Sequence, residues 1–417
     1  MPGWPSAPPP KTSFGFFPPL KTAAVLGAGT MGGGIAWLFS NAGVSVVMKD
    51  VNRQAVGGAY AAVHTIYDTL VRIGKIDRRE ADMKAQKVSG TTDYRGFGRA
   101  DFIIEAIVED KKIKTDALAE LETFCRPDAI IATNTSSLSV DELARGLEHP
   151  ERFLGFHFFN PVSRMPLVEV VRGGKTSAGT LARAVRYARE LGKTPIVVKD
   201  CHGFLVNRIL MSYLNEALFL LQEGYDFSKV DRLMLNFGMP MGPFALLDEI
   251  GIRVALKVAH ILSSAYPERS PGVALAAEME ADKSLGGRQA GRGFYLYEGK
   301  KRRPNPAVGN ILKRQDIRIV GRFDADEVRE RLLLRMINEA ALCLEQKIIE
   351  KPAYLDLALI LGTGFPAFRG GILRYADSLG TGTVLSLTER YAERAGGRFV
   401  PGALIRELAR KERGFYA

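Results

Sequence analysis

His157 stands at the end of the apolar run Phe153 to Phe158, which is followed at once by Phe159-Asn160-Pro161, a sequence that stops a strand. The next apolar segment, Pro166 to Val171, carries Glu169. A strand, a turn and a second strand can set that carboxylate against the imidazole, giving an oriented base whose protonated form the carboxylate stabilises. A buried ion pair without chemistry fits the same spacing. The other histidines read differently: His64 and His260 lie in helical patterns, His149 precedes a proline at a helix end, and His202 precedes a glycine near a domain junction.

A second constellation lies near the start of the chain. Val25-Leu26-Gly27-Ala28-Gly29-Thr30-Met31-Gly32 places G-x-G-x-x-G directly after a short apolar strand, at the start of a helix running to Ala42. Gly27 permits a tight turn, Gly29 lets the backbone approach a pyrophosphate, and Gly32 lets the helix pack on the strand. Thr30 and Met31 open the helix, whose N-terminus faces the anion. The following strand ends at Asp50, where a carboxylate accepts hydrogen bonds from ribose hydroxyls and repels a 2′-phosphate. The cofactor expected is therefore NAD rather than NADP, although Arg53 lies close by. Glu105 to Glu109 ends a further strand at the same sheet edge, and Glu109 and Lys114 are expected beside the nicotinamide ribose. With NAD bound, the His157–Glu169 pair suits the oxidation of an alcohol, in which a base takes the hydroxyl proton as hydride leaves the same carbon.

The elements that hold these groups are short apolar runs alternating with helical stretches: Ala23 to Leu26, Val44 to Met48, Phe102 to Ala106, Ala129 to Ala132, Phe153 to Phe158 and Ile196 to Val198. That alternation predicts α/β architecture, a Rossmann-type doubly wound parallel sheet with crossover helices. After Asp200 the strands stop and helices dominate. Arg208-Ile209-Leu210 and Asn215-Glu216-Ala217 recur as Arg331-Leu332-Leu333 and Asn338-Glu339-Ala340, and Gly238-Met239-Pro240 recurs as Gly364-Phe365-Pro366. The sheet is thus followed by two homologous all-α domains. The organisation predicted is a proline-rich tail or linker remnant at 1–20, an NAD-binding domain at 21–200, a first helical domain at 201–298, a linker at 299–323 and a second helical domain at 324–417.

Composition narrows the partners. A net charge of +11 draws phosphates, but no nucleic-acid motif or aromatic-interleaved basic stripe accompanies it, and the basic run Lys300 to Arg303 reads as a solvated linker. No apolar run approaches the roughly 20 residues of a membrane span. Three scattered cysteines without a CxxC pair argue against disulfides and zinc. No metal, nucleic acid or membrane span is expected, and the location expected is the cytoplasm.

Gly155-Phe156-His157-Phe158-Phe159-Asn160-Pro161 followed by Leu167-Val168-Glu169-Val170 resembles the active-site signature of the 3-hydroxyacyl-CoA dehydrogenases. Thr133-Asn134-Thr135-Ser136-Ser137, Gly203 to Arg208, Pro240-Met241-Gly242-Pro243 and Gly293-Phe294-Tyr295 carry the same resemblance. With the duplicated helical region it covers residues 21–417 and points most of all to the dehydrogenase portion of the multifunctional fatty-acid-oxidation proteins. It implies NAD-dependent oxidation of L-3-hydroxyacyl-CoA in β-oxidation, with His157 as base and Glu169 as its partner. Ser136 and Asn207 would contact the substrate's hydroxyl or thioester region, and Asn160 would shape the same site. Neutral Ser and Asn side chains suit an uncharged substrate oxygen, and each also suits a helix cap.

Two departures stand out. His202 takes the place where the family commonly has proline, and only a proline-rich stub stands where multifunctional relatives carry an enoyl-CoA hydratase domain, so hydratase activity is not expected. Two other readings compete: an idle acyl-CoA- or NAD-binding scaffold of a β-oxidation complex, and a sugar-acid or nucleotide-sugar dehydrogenase, whose relatives generally rely on lysine or cysteine. The resemblance also implies an acyl-CoA substrate and a thiolase or hydratase subunit as partner. Single-domain relatives pair their helical domains across a homodimer. Here the two copies are expected to pair within one chain, burying Ile209, Leu210 and Leu214 against Leu332, Leu333 and Ile337, as a monomer or weak dimer. Only the first copy is expected to adjoin the cofactor domain.

Overall fold

The computed structural model describes residues 18–282, 285–299 and 301–416. Residues 1–17 of the expected tail and Lys300 of the basic run lie outside them. Eight strands form one sheet: β1 (Thr22–Leu26), β2 (Ser45–Lys49), β3 (Val88–Thr91), β4 (Phe102–Glu105), β5 (Ile130–Thr133), β6 (Phe153–Phe158), β7 (Leu167–Arg172) and β8 (Thr194–Lys199). Their spatial order is β3-β2-β1-β4-β5-β6-β7-β8. The order reverses between β1 and β4, and ligands of open α/β sheets bind at the carboxyl ends of the strands beside such a switch. The first six strands run parallel; β7 turns antiparallel to β6, and β8 follows β7. β4 and β5 are buried along their whole length, as strands covered by helices on both faces must be. β3, with a single buried valine in Val-Ser-Gly-Thr, lacks the apolar run that marks its neighbours.

The helices beyond Asp200 form two similar groups. In the first, Val206–Gln222 is central, with Phe227–Phe237, Pro243–Ile250, Ile252–Ala265 and Ala274–Ala281 around it. Pro243–Ile250 and Ile252–Ala265 are parted at Gly251, whose φ of +90° favours glycine. In the second, Ala325–Glu345 is central, with Pro352–Thr363, Ile372–Leu379, Thr381–Ala395 and Ala403–Arg410 around it. The strands do not stop at Asp200, because β9 (Tyr295–Glu298) and β10 (Lys301–Pro304) pair as an antiparallel hairpin. The stretch expected as a linker also carries the helix Pro306–Arg314, anchored by buried Val308, Ile311 and Leu312.

The two central helices pack together, and Ile209, Leu210, Leu214, Leu332, Leu333 and Ile337 are all buried. One continuous apolar core runs from a face of the sheet (Ile103, Ile131) through both helical groups, while a second fills the opposite face around Ile35, Phe39 and Ile104. The second group also reaches the sheet, contrary to the expectation that only the first would. Lys199 N donates to Ile348 O at 2.9 Å, and Gly362 sits so close to Leu167 of β7 that a Cβ there would lie 2.9 Å from its side chain. No helix of the described residues is long and apolar enough to cross a membrane.

Candidate active site

Gly27 leaves β1 with φ +110°, and a Cβ on it would lie 2.6 Å from Ala106 O. A Cβ on Gly32 would lie 1.9 Å from Gly27 O, so the helix Thr30–Asn41 packs as closely as backbone allows. Gly29 differs: the space its Cβ would enter holds nothing within 4 Å, and no side chain caps the helix. Thr30 and Met31, in the first turn of that helix, carry N–H groups with no partner inside it. An open approach to uncapped N–H groups is what a pyrophosphate requires. Asp50, just beyond β2, accepts from Ala28 N at 2.9 Å, which ties the carboxylate to the loop. These residues fit the pyrophosphate and adenosine ribose of NAD.

β6 and β7 pair with His157 directly opposite Glu169. His157 Nδ1 lies 2.7 Å from Glu169 Oε2, and His157 Nε2 lies 3.2 Å from Ser136 Oγ. Glu169 Oε1 accepts from Leu205 N at 3.1 Å and Val206 N at 2.9 Å, so the carboxylate is also the cap of the central helix Val206–Gln222. An ionised carboxylate only accepts, which places the ring proton on Nδ1 and leaves the Nε2 lone pair toward Ser136. The rings of Phe159 and Phe204 stand 4.6 and 5.7 Å from the imidazole and keep it 3% exposed.

Ser136 belongs to a loop after β5 that is held from below. Glu109 Oε1 accepts from Thr135 Oγ1 at 2.6 Å, Ser136 N at 2.9 Å, and Ser137 N and Oγ at 3.1 and 3.0 Å. Burial alone would push Glu109 up; Lys114 and these hydrogen bonds outweigh it and hold the carboxylate below its ordinary value. Asn207 Nδ2 donates to Ser136 O at 3.0 Å, joining the same loop to the first helical group. Lys257, from Ile252–Ala265, donates to Glu109 O and adds a second tie.

The structure thus brings His157, Glu169, Ser136, Asn207 and Glu109 together. Lys114 does not lie at the mouth: it is 1% exposed, 2.6 Å from Glu105 Oε1 and 3.5 Å from Glu109 Oε2. It braces Glu109, because its charge is engaged by two carboxylates. Asn160 is exposed at a cis bond to Pro161, and its side chain makes no hydrogen bond among the described residues. His202 is half-buried one residue before Gly203, whose N–H donates to Ser137 O. Sequence reasoning missed Glu105, which accepts from both Lys114 and Thr133 Oγ1, and gave no role to Phe159, Phe204 or Lys257. An apolar strand ending in a carboxylate was the available signal for Glu105.

Comparison with known proteins identifies the family of the chain. The family profile of the 3-hydroxyacyl-CoA dehydrogenase NAD binding domain matches residues 22–201, and that of the 3-hydroxyacyl-CoA dehydrogenase C-terminal domain matches twice, at 203–297 and 328–414. The chain is similar to a crystal structure of 3-hydroxybutyryl-CoA dehydrogenase from Escherichia coli, at 25% identity and a TM-score of 0.82 over 94% of this chain and 99% of that one. It is similar to (S)-3-hydroxybutyryl-CoA dehydrogenase from Ralstonia eutropha, at 37% identity and a TM-score of 0.64 over 67% of this chain and 100% of that one. The dehydrogenase part of multifunctional enzyme 1 from C. elegans matches at 26% identity and a TM-score of 0.63, over 93% of this chain and 89% of that one.

Proposed function

The chain belongs to the 3-hydroxyacyl-CoA dehydrogenase family and is an NAD-dependent dehydrogenase of that kind, and we propose that it oxidises L-3-hydroxyacyl-CoA to 3-oxoacyl-CoA with the His157–Glu169 pair as general base. The carrying observation is the imidazole that turns one nitrogen to Glu169 and the other to Ser136, near the carboxyl end of β6 and so at the same sheet edge as the glycine loop after β1. Gly27, Gly29, Thr30, Met31 and Gly32 would hold the pyrophosphate and Asp50 the adenosine ribose, with Glu109 near the nicotinamide end. NAD held there would supply the acceptor for the hydride of C3.

His157 Nε2 takes the hydroxyl proton, and Glu169 keeps the ring in the orientation and tautomer that leaves Nε2 able to do so. Ser136 Oγ and Asn207 position the substrate's oxygen, and Glu109 fixes the loop that carries Ser136. Asn160, exposed at the rim, would shape the entrance. The substrate is what hydration of an enoyl thioester yields and the product is what a thiolase cleaves. Fatty-acid β-oxidation is therefore the setting we infer, with a thiolase or hydratase subunit as partner. Three free cysteines support a cytoplasmic location, and the pairing of helical groups within the chain supports a monomer or weak dimer, which light scattering measures.

NADH formation with L-3-hydroxyacyl-CoA of several chain lengths tests the reading. Binding of NAD and acyl-CoA without turnover at any length would instead support an idle scaffold.

A further inference from the structure

The central helices of the two groups meet where Ser212 Oγ donates to Arg335 O at 3.2 Å, and these residues stand 123 apart in the chain. Arg208 and Arg331 share that offset, as do Glu216 and Glu339, so Ser212 and Arg335 occupy equivalent places in the two copies. A small residue in the first copy therefore faces a long cation in the second. Arg335 is 1% exposed. Its two terminal nitrogens donate to the carbonyls of Arg398 and Arg269, and its Nε has no hydrogen-bond partner among the described residues.

No ion pair among the described residues involves Arg335, because the nearby carboxylates serve other arginines. Glu339 lies 2.5 Å from Arg208 and 3.1 Å from Arg269, and Glu216 lies 2.6 Å from Arg331 and 2.7 Å from Arg398. Arg208, 2% exposed, spends Nε on Glu339 and turns Nη1 toward Cys201 Sγ at 3.9 Å, while its Nη2 has no partner among the described residues. Arg208, Arg269 and Arg335 all line one cavity of about 10 Å³, together with Ser212, Tyr266 and Glu339. That is room for one small particle. Its wall carries three guanidinium groups against one carboxylate, a combination that low-dielectric surroundings strongly disfavour unless another negative charge is near. Burial accordingly pushes the Arg335 guanidinium below its ordinary value.

We propose that this cavity binds one small monovalent anion of the halide type, held by Arg208 Nη2 and Arg335 Nε, and that the anion fastens the two helical copies to each other. A water molecule could accept from both N–H groups but would leave the charge unbalanced. None of His157, Glu169 and Ser136 lines the cavity, so its occupancy is read through stability.

Thermal unfolding of the full chain in chloride, bromide and gluconate at matched ionic strength separates a bound halide from general salt effects, gluconate being too large to enter. The expected result is a saturable rise in Tm of about 2–5 °C in the two halides over gluconate, with an anomalous bromide peak between Arg208 and Arg335 in crystals grown with that ion. Arg335→Met removes the charge while keeping an unbranched side chain, and should abolish the halide-specific rise. If that variant does not fold, Arg269→Gln, at the less buried side of the cavity, should weaken halide affinity by about tenfold. Equal Tm in the three salts without a bromide peak would make the cavity a water site and overturn the proposal. A halide-specific rise that persists unchanged in the folded variant would overturn it as well.

Discussion

Arg208 Nε donates to Glu339 Oε1 at 2.5 Å, and the same pair recurs with the copies exchanged, Arg331 Nε donating to Glu216 Oε1 at 2.8 Å. An axis between identical subunits imposes this reciprocity, residue i meeting j while j meets i; here one chain supplies both sides. Glu216 is fully buried and serves Arg398 as well. Neutralising it takes away the one fully buried counter-charge and leaves Arg331 with Glu223 and Glu327 and Arg398 with Glu223 at 3.8 Å, all more exposed, so Glu216→Gln is expected to lower stability by about 1–3 kcal/mol. Denaturant unfolding gives the number; a change within measurement error would mean that the exchanged pairs do not hold the copies together.

For the reaction, His157→Ala should lower kcat by about 10²–10⁴ while NAD affinity stays nearly unchanged, because the imidazole faces Ser136 and not the glycine loop. Stopped-flow turnover and a cofactor titration measure the two separately. Normal turnover in the variant would remove His157 from the chemistry.

Glu169→Gln probes the ring's orientation. The Glu169 oxygens accept from Leu205 N, Val206 N and the imidazole, whereas a glutamine must present an amide N–H to one of them. Turned to the imidazole, that N–H moves the ring proton to Nε2 and blocks the base; turned to the helix, it uncaps Val206. We expect kcat to fall by roughly 10²–10⁴ and Tm to fall in the same variant. A variant as active as the parent would separate Glu169 from the reaction.

Asp50 supplies the test of cofactor choice. Its carboxylate stands at the end of β2 and is pinned to Ala28 N, so it cannot swing away from a 2′-phosphate. Catalytic efficiency should favour NAD over NADP by on the order of 100-fold or more, and Asp50→Asn should narrow the ratio. Equal efficiency in the parent enzyme would take Asp50 out of the ribose site.

A pH effect on stability follows from Asp231, which receives Phe244 N, Ala245 N and the Tyr295 hydroxyl and is 1% exposed. Burial pushes its carboxyl up to about 6, against 3.8 when it is free in water. The folded chain therefore holds a proton that the unfolded chain releases at lower pH, so this contribution to stability is complete below about 4 and is lost as pH rises through 6. It amounts to about 2–3 kcal/mol. Asp231→Asn should flatten the loss between pH 4 and 7 by about that amount in pH-resolved thermal unfolding. A variant with the parent's slope over that range would show that Asp231 ionises freely.

Much of the site was legible because its signals are short-range. A glycine pattern directly after an apolar strand, a carboxylate ending the next strand, and a histidine just before Phe158-Phe159-Asn160-Pro161 are each read within a few residues. Strand alternation then puts Glu169 in reach of His157, since a β6–β7 register can set the two on one face. The helical repeat was legible for a similar reason, because residue types recurring at a nearly constant offset need no coordinates.

What the chain order alone could not decide is which partner each charge meets through space. Glu109 and Lys114 look alike as neighbours of a cofactor, yet packing turns the first onto the Ser136 loop and buries the second against Glu105. Nothing local announces that Glu169 caps a helix 36 residues away, or that Arg208 pairs with the glutamate of the other copy, 131 residues on. The amino-acid sequence by itself determined the chemistry available, the sheet that presents it and the duplication of the helices. Only the tertiary structure decided which carboxylate braces and which one orients the base, because a carboxylate's role depends on the donors that close packing brings within about 3 Å of it.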